Sequence, residues 1–219
     1  MKEWLTSNKP NWGSKWQAGD VKYKDLTGEG EVTPGASTLE NHGDLKRIGN
    51  NSPRYRVGLN LDAAWKGIDF SIFFQGVLKR DWMFDAGDPY FWGAGSGMWQ
   101  AACFEEHMDY WTPENTDAYY PKPYFNETKN QQAQDAYMQK ASYLRCKNIQ
   151  LGYTLPTHIT EKAGISNCRI YLSCDNLFTI TGLSSVYDPE VFGSYDGYGT
   201  SGKTYPLQRT ISVGVNLNF

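Results

Sequence analysis

The chain of 219 residues contains no run of about 18 apolar residues, so no helix of it is expected to cross a bilayer. That exclusion does not reach β-barrels, whose strands are apolar on one face only and whose loops and lumen are polar. Excess charge is also lacking. There are 21 Lys and Arg against 24 Asp and Glu, for a net charge of −3, and the cations form no cluster of the kind nucleic acid requires. The three histidines, His42, His107 and His158, are far apart in sequence. Cys103, Cys146, Cys168 and Cys174 include no CxxC and no zinc-site spacing. Cys168 and Cys174 alternate with Ile170 and Leu172 and read as small apolar residues on one strand face. A nucleophile elbow, HExxH, P-loop and GxGxxG are all missing, which argues against an enzyme. The start, MKEWLTSNKPNWGSKW, lacks the apolar core of a secretory signal. The chain is therefore either cytoplasmic or a piece of something longer.

What is abundant is aromatic and small. There are 15 Tyr, 10 Phe, 8 Trp and 22 Gly, a composition that favours strands and turns over helix. Tyr55, Val57, Leu59, Leu61, Ala63 and Trp65 share one parity, and Arg56, Gly58, Asn60 and Asp62 the other. Period two predicts a strand. Lys66-Gly67 predicts a tight turn, followed by a strand carrying Ile68, Phe70, Ile72 and Phe74 on its apolar face. Alternation resumes over 141–156, with a shift of parity that predicts a bulge near Lys147 or Asn148. Pro156 ends that strand. A short link over 157–166, with room for one helical turn, leads to a strand over 167–182, and a last strand runs over 205–219. Residues 81–140 show no sustained period and are too long for an ordinary connection.

The connections sort by length. Short joins fall at one end of the strands and long loops at the other, an asymmetry of outer-membrane barrels. A strand over 209–219, tilted by about 45°, covers roughly 25 Å, the height of a barrel's apolar band. Trp65, Tyr153 and Phe219 mark one end of the apolar face, and Tyr55 and Tyr205 the other, as two interfacial aromatic girdles would. The same alternation also builds soluble β-sandwiches. The competing reading is thus a secreted all-β carbohydrate-binding or glycan-processing module, in which a second sheet would bury those apolar faces.

The stretches YLRCKNIQLGYTLP, GISNCRIYLSCDNLFTIT, YDPEV and YPLQRTISVGVNLNF resemble, in order and spacing, the C-terminal part of the SusC/RagA family of TonB-linked outer-membrane proteins of Bacteroidetes. GDVKYKDLTGEGEV and IGNNSPRYRVGLNLDAAWKGIDFSIFFQGVLKRD extend the resemblance from about Gly19 to Phe219. It implies an all-β fold: about five antiparallel strands from the C-terminal end of a large transmembrane β-barrel with long extracellular loops. It further implies residence in the cell outer membrane as a multi-pass β-barrel. Implied partners are a SusD-like lipoprotein, the TonB complex through a part of the protein that this chain lacks, the outer-membrane assembly machinery and the lipid bilayer, with no nucleic acid. The implied function is import of glycans or oligosaccharides, or of peptides, to which this chain would contribute as a fragment. The expected organisation is an extracellular segment over 1–54, a transmembrane hairpin over 55–80 and an extracellular loop over 81–140. Transmembrane strands follow over 141–219, with a periplasmic link at 156–166 and an extracellular loop at 183–204.

Three sets of residues are candidates for function. Asp25, Thr27, Glu29 and Glu31 alternate around Gly30 like the front half of a calcium loop, which makes calcium the one cofactor the pattern allows. Residue 36, where such a loop places a bidentate Glu, is Ala36. Trp82, Tyr90, Trp92, Trp99 and Tyr187 offer aromatic faces for a ligand or a partner, or for packing of the loops themselves. Val213, Val215, Leu217 and Phe219 resemble the signal by which barrel strands are recognised during assembly. Asp188 and Glu190 could be imagined as an acid/base pair, but a rigid loop element is the simpler expectation.

Overall fold

The computed structural model describes residues 9–13, 15–96, 102–192 and 204–219, which fall into two units. The first unit draws on residues 1–49, 83–138 and 192–204. Its regular structure is slight: β1 (Lys9–Pro10) pairs in parallel with β2 (Glu31–Val32), and 3-10 turns span Gly93–Ser96 and Glu105–Met108. Order comes instead from an aromatic core. Phe84 stacks on Phe91 at 4.7 Å, Trp92 meets Phe91 edge-on at 4.9 Å and Tyr137 at 5.0 Å, and Phe192 closes on Phe84 at 6.1 Å. Burial pushes the phenols of Tyr120 and Tyr137 well above their ordinary value, so both stay neutral.

The loop backbone in this unit is satisfied by side chains. Gln131 accepts from Gly87 N–H at 2.7 Å and donates to the Gly95 carbonyl, while Asp88 accepts from Tyr90 and Phe91 N–H at 3.0 and 2.8 Å. Lys129 and Asp20 form an ion pair at 3.0 Å that is buried on both sides. Asn130 donates to Asp20 at 3.0 Å, and Gln17 N–H does so at 2.8 Å.

The second unit, residues 50–82, 139–191 and 205–219, is one antiparallel sheet. Its strands are β3 (Arg54–Trp65), β4 (Ile68–Lys79), β6 (Gln139–Thr154), β7 (Asn167–Gly182) and β8 (Thr210–Asn218), paired in that order. The short β5 (Asp81–Trp82) pairs with the start of β6. The turn between β3 and β4 holds both Lys66 and Gly67 at positive φ, +47° and +85°, the primed geometry that follows strand twist. A Cβ on Gly67 would lie 2.8 Å from the Thr154 carbonyl oxygen, so glycine is required there for space as well.

The parity shift in β6 is a bulge. Phe73 pairs with Asn148 and Phe74 with Cys146, leaving Lys147 as the extra residue. Opposite it on β7, Asn176 takes φ +51° and its side chain donates to the Gln208 carbonyl at 3.0 Å. Between β6 and β7 the chain makes a single α-helical turn, Thr157–Thr160, and a 3-10 turn, Glu161–Ala163, ending in Gly164 at φ +70°. The last strand begins at Thr210, not at 205. Pro206 has no N–H to give a ladder, and Leu207 N–H donates at 3.0 Å to the Asp188 carboxylate.

Candidate functional site

Register turns the period-two pattern of single strands into two continuous surfaces. On one face Trp65, Ile68, Tyr153, Ile170 and Val215 lie in one cross-strand row. Ala63, Phe70, Leu151, Leu172 and Val213 form the next, then Leu61, Ile72, Ile149, Cys174 and Ile211. These rows are apolar from edge to edge, yet much of the face is open: Val213 is 75% exposed, Ile211 66% and Trp65 68%. A sandwich covers such side chains with a second sheet, and among the described residues no second sheet lies over them. Val213, Val215, Leu217 and Phe219 all belong to this open face or its rim.

The opposite face is polar. Asp62, Ser71, Gln150, Ser173 and Ser212 form one row, and Asn60, Phe73, Asn148, Asp175 and Thr210 another. Arg169 reaches across Gly152 to Asp69 in a two-pronged contact, with Nε at 2.9 Å and Nη2 at 2.5 Å, and Nη2 also donates to Gln150 at 3.1 Å. A Cβ on Gly152 would lie within 2.6 Å of both charged groups, so the glycine is the gap through which they meet. Gly214 similarly leaves the space that the Tyr171 ring fills.

Sequence reasoning missed the charged cluster at the upper part of this face. Arg145 donates to Thr179 at 2.7 Å through Nε, to Glu190 at 2.5 Å through Nη1 and to Asp188 at 2.8 Å through Nη2. Lys147, displaced by the bulge, donates to Glu190 at 3.1 Å. Asp188 also accepts from Glu190 N–H at 2.9 Å. The cluster draws the YDPEV loop over the polar face of β6. It gives Asp188 and Glu190 a structural use, with cations rather than a reacting bond between them.

The acidic alternation does not converge on a point. Asp25 Oδ1 accepts from Gly28 N–H at 2.6 Å and Oδ2 from Gly30 N–H at 2.8 Å, while Glu29 and Glu31 are exposed. Thr27 Oγ1 donates to both Asp25 and Asp44, each at 3.3 Å. Asp44, which no local spacing reveals, accepts from Leu26, Thr27 and Thr33 N–H at 2.6, 3.0 and 2.8 Å. Burial works to raise its pKa, but those donors outweigh burial and hold the carboxyl below its usual range. Among the described residues no three His, Cys, Asp or Glu side chains lie together as a cation cage. In this structure the alternation corresponds to a capped glycine turn.

The aromatic candidates separate. Trp92 and Tyr187 are buried, Trp92 packing against Phe91 and Tyr137. Trp82 and Tyr90 are half-buried, the former stacked under the Arg80 guanidinium at 4.8 Å. Trp99 lies outside the described residues.

No family model matches the chain. It is similar to TonB-dependent receptor P3 of Formosa agariphila, with 29% identity over 208 residues, spanning 92% of this chain and 19% of that receptor. TonB-dependent receptor P26 of the same organism is 26% identical over 209 residues, spanning 92% of this chain and 20% of that one. Among solved structures, the RagAB peptide transporter matches with a TM-score of 0.54 and 29% identity, over 74% of this chain and 17% of that one. The RagAB peptide importer in its open-open state matches at 0.50 and 26%, over 77% and 17%. The chain thus spans a minor part of each relative's length. These relatives are receptors and importers rather than enzymes. With a sheet that is apolar and open on one face and polar on the other, the chain is similar to a minor part of these TonB-dependent receptors and of RagAB, and carries antiparallel strands of a β-barrel.

Proposed function

We propose that this chain is a section of the wall of an outer-membrane importer energised through TonB. The observation that carries the proposal is the cross-strand apolar band, unbroken from β3 to β8 and backed by a polar, charged face. Such a sheet has a low-energy setting only where lipid meets one side and a water-filled lumen the other. The short connections then face the periplasm and the long ones the exterior. The open alternation of Val213, Val215 and Leu217 on the edge strand β8 supports its recognition by the assembly machinery.

The cargo on this reading is an oligomer, glycan or peptide, and the RagAB relatives favour the peptide side. A surface lipoprotein of the SusD type completes the importer. The test uses the full-length receptor in its own membrane. Uptake of labelled oligosaccharides and oligopeptides should require both an energised TonB and the lipoprotein. Uptake that persists without TonB would sink the proposal.

A further inference from the structure

We infer that the first unit carries a binding site for an aromatic group that bears a hydrogen-bond acceptor, built around His107. Taking that group to be part of the cargo rests on the importer reading; the site itself does not. Within the unit a cavity of about 310 Å³ opens, the size of a small-ligand pocket. Trp92, Tyr110, Tyr120 and Tyr124 line it, and Pro121 and Pro123 add two apolar rings. The local chain fixes these walls. Tyr120 N–H donates to the Asp109 carbonyl at 2.9 Å and Trp111 N–H to the Tyr120 carbonyl at 3.0 Å, which sets Tyr110 beside Tyr120. The Tyr124 hydroxyl accepts from Gln17 at 2.6 Å, and Lys129 Nζ lies 3.9 Å from its ring centroid. The prolines lock φ on either side of Lys122. Walls held in this way lose little freedom on binding.

His107 also lines the cavity and is only 6% exposed. Phe104 N–H donates to its Nδ1 at 3.0 Å, so Nδ1 is an acceptor and the proton of the neutral ring is assigned to Nε2. That N–H has no hydrogen-bond partner among the described residues. Gly93 packs on the other edge of the ring. A Cβ there would lie 2.6 Å from Nδ1 and 3.0 Å from Cε1, which leaves Nε2 turned from Gly93. A buried donor without a partner is costly, and an occupant with an oxygen acceptor removes the cost.

The remaining polar groups of the lining select the occupant. Asn130 is taken by Asp20 and by Val21 N–H, at 3.0 Å each, and Gln131 by Gly87 N–H at 2.7 Å and the Gly95 carbonyl. A bare sugar ring would bring several hydroxyls and find these amides occupied. Lys122 and Glu127 contribute one charge of each sign, so the lining has no net charge to draw an ion. Aromatic walls favour an aromatic occupant, ring edge to ring face, over an aliphatic one of equal size. One acceptor beside a ring is the chemistry of a Phe or Tyr residue in a peptide, and equally of an aryl ester on a glycan.

The test is equilibrium binding and uptake by the full-length receptor, with two matched pairs of probes. A peptide carrying Phe is set against the same peptide carrying cyclohexylalanine, and a feruloylated oligosaccharide against its de-esterified form. In at least one pair the aromatic member should bind roughly tenfold more tightly, with no loss at high salt. The pair that responds names the source, peptide or glycan. His107→Asn, which keeps an acceptor for Phe104 N–H but loses the Nε2 donor, should remove most of that preference. Ala94→Trp, at an exposed position of the lining, should fill the cavity and abolish it. The parent pattern of limited proteolysis confirms folded loops in each variant. If neither pair is discriminated, or if either variant leaves the discrimination intact, the site is refuted, and TonB-dependent uptake of the probes still upholds the importer. If aromatic probes are discriminated but uptake needs no TonB, the importer reading falls and the site stands.

Discussion

Arg145 is 4% exposed and meets two carboxylates and a hydroxyl through three separate nitrogens. Truncating one partner of a buried charge cluster costs about 3–5 kcal/mol, because the charges left behind have lost both water and partner. Arg145→Ala should therefore lower the denaturation midpoint and open the 183–191 loop to protease. Lys147→Met, which removes one bond from a less buried side chain, should cost about 1 kcal/mol. In the sequence Arg145 is one more polar residue on a lumen parity. Its partners lie 43 and 45 residues away, and no local spacing joins them. Asp44 was equally illegible, since it works by accepting N–H bonds from a turn that begins 18 residues earlier. Its carboxyl is held low when folded, so its contribution is complete above the unfolded carboxylate value near pH ~4 and is lost as pH falls through the folded value. Exchange protection of the Leu26, Thr27 and Thr33 amides should fall on acidification. Asp44→Asn should flatten that dependence. Protection that ignores pH in the parent protein would contradict this role.

At the scale of the element, the strands were legible because one parity is apolar almost without exception. Trp65, Leu151 and Val213 each announced their face, and register then set them into shared rows. The bulge was legible from the slip between Cys146 and Ile149. The start of β8 was not, because the N–H of Leu207 is taken by a carboxylate of a distant loop. The two faces predict opposite responses to charge. Val213→Arg should cost about 2–4 kcal/mol in a bilayer, as for cations placed at the midplane on the lipid face. Ser212→Arg, one residue away on the polar face, should cost well under 1 kcal/mol. Denaturation of the folded barrel from lipid vesicles measures both, and equal costs would contradict the facing. Gly214→Val tests a different link. Its side chain would occupy the space of the Tyr171 ring, so the pairing of β7 with β8 should weaken and heat resistance of the barrel should fall.

For the whole molecule, the long irregular segments were readable only as aromatic and patternless. Their order comes from Phe84, Phe91, Trp92, Tyr137 and Phe192 meeting from distant positions, which no periodicity can encode. The sheet, by contrast, makes a single claim about its surroundings: one face is built for lipid, the other for water. A nitroxide scan along residues 211–217 of the full-length receptor in bilayers, in a cysteine-free background, tests it directly. Ile211, Val213, Val215 and Leu217 should show high collision with lipid-soluble oxygen, and Ser212, Gly214 and Asn216 with a water-soluble nickel chelate, alternating residue by residue. Two parities equally shielded from both reagents, as under a second sheet, or both open to the chelate, would contradict the account.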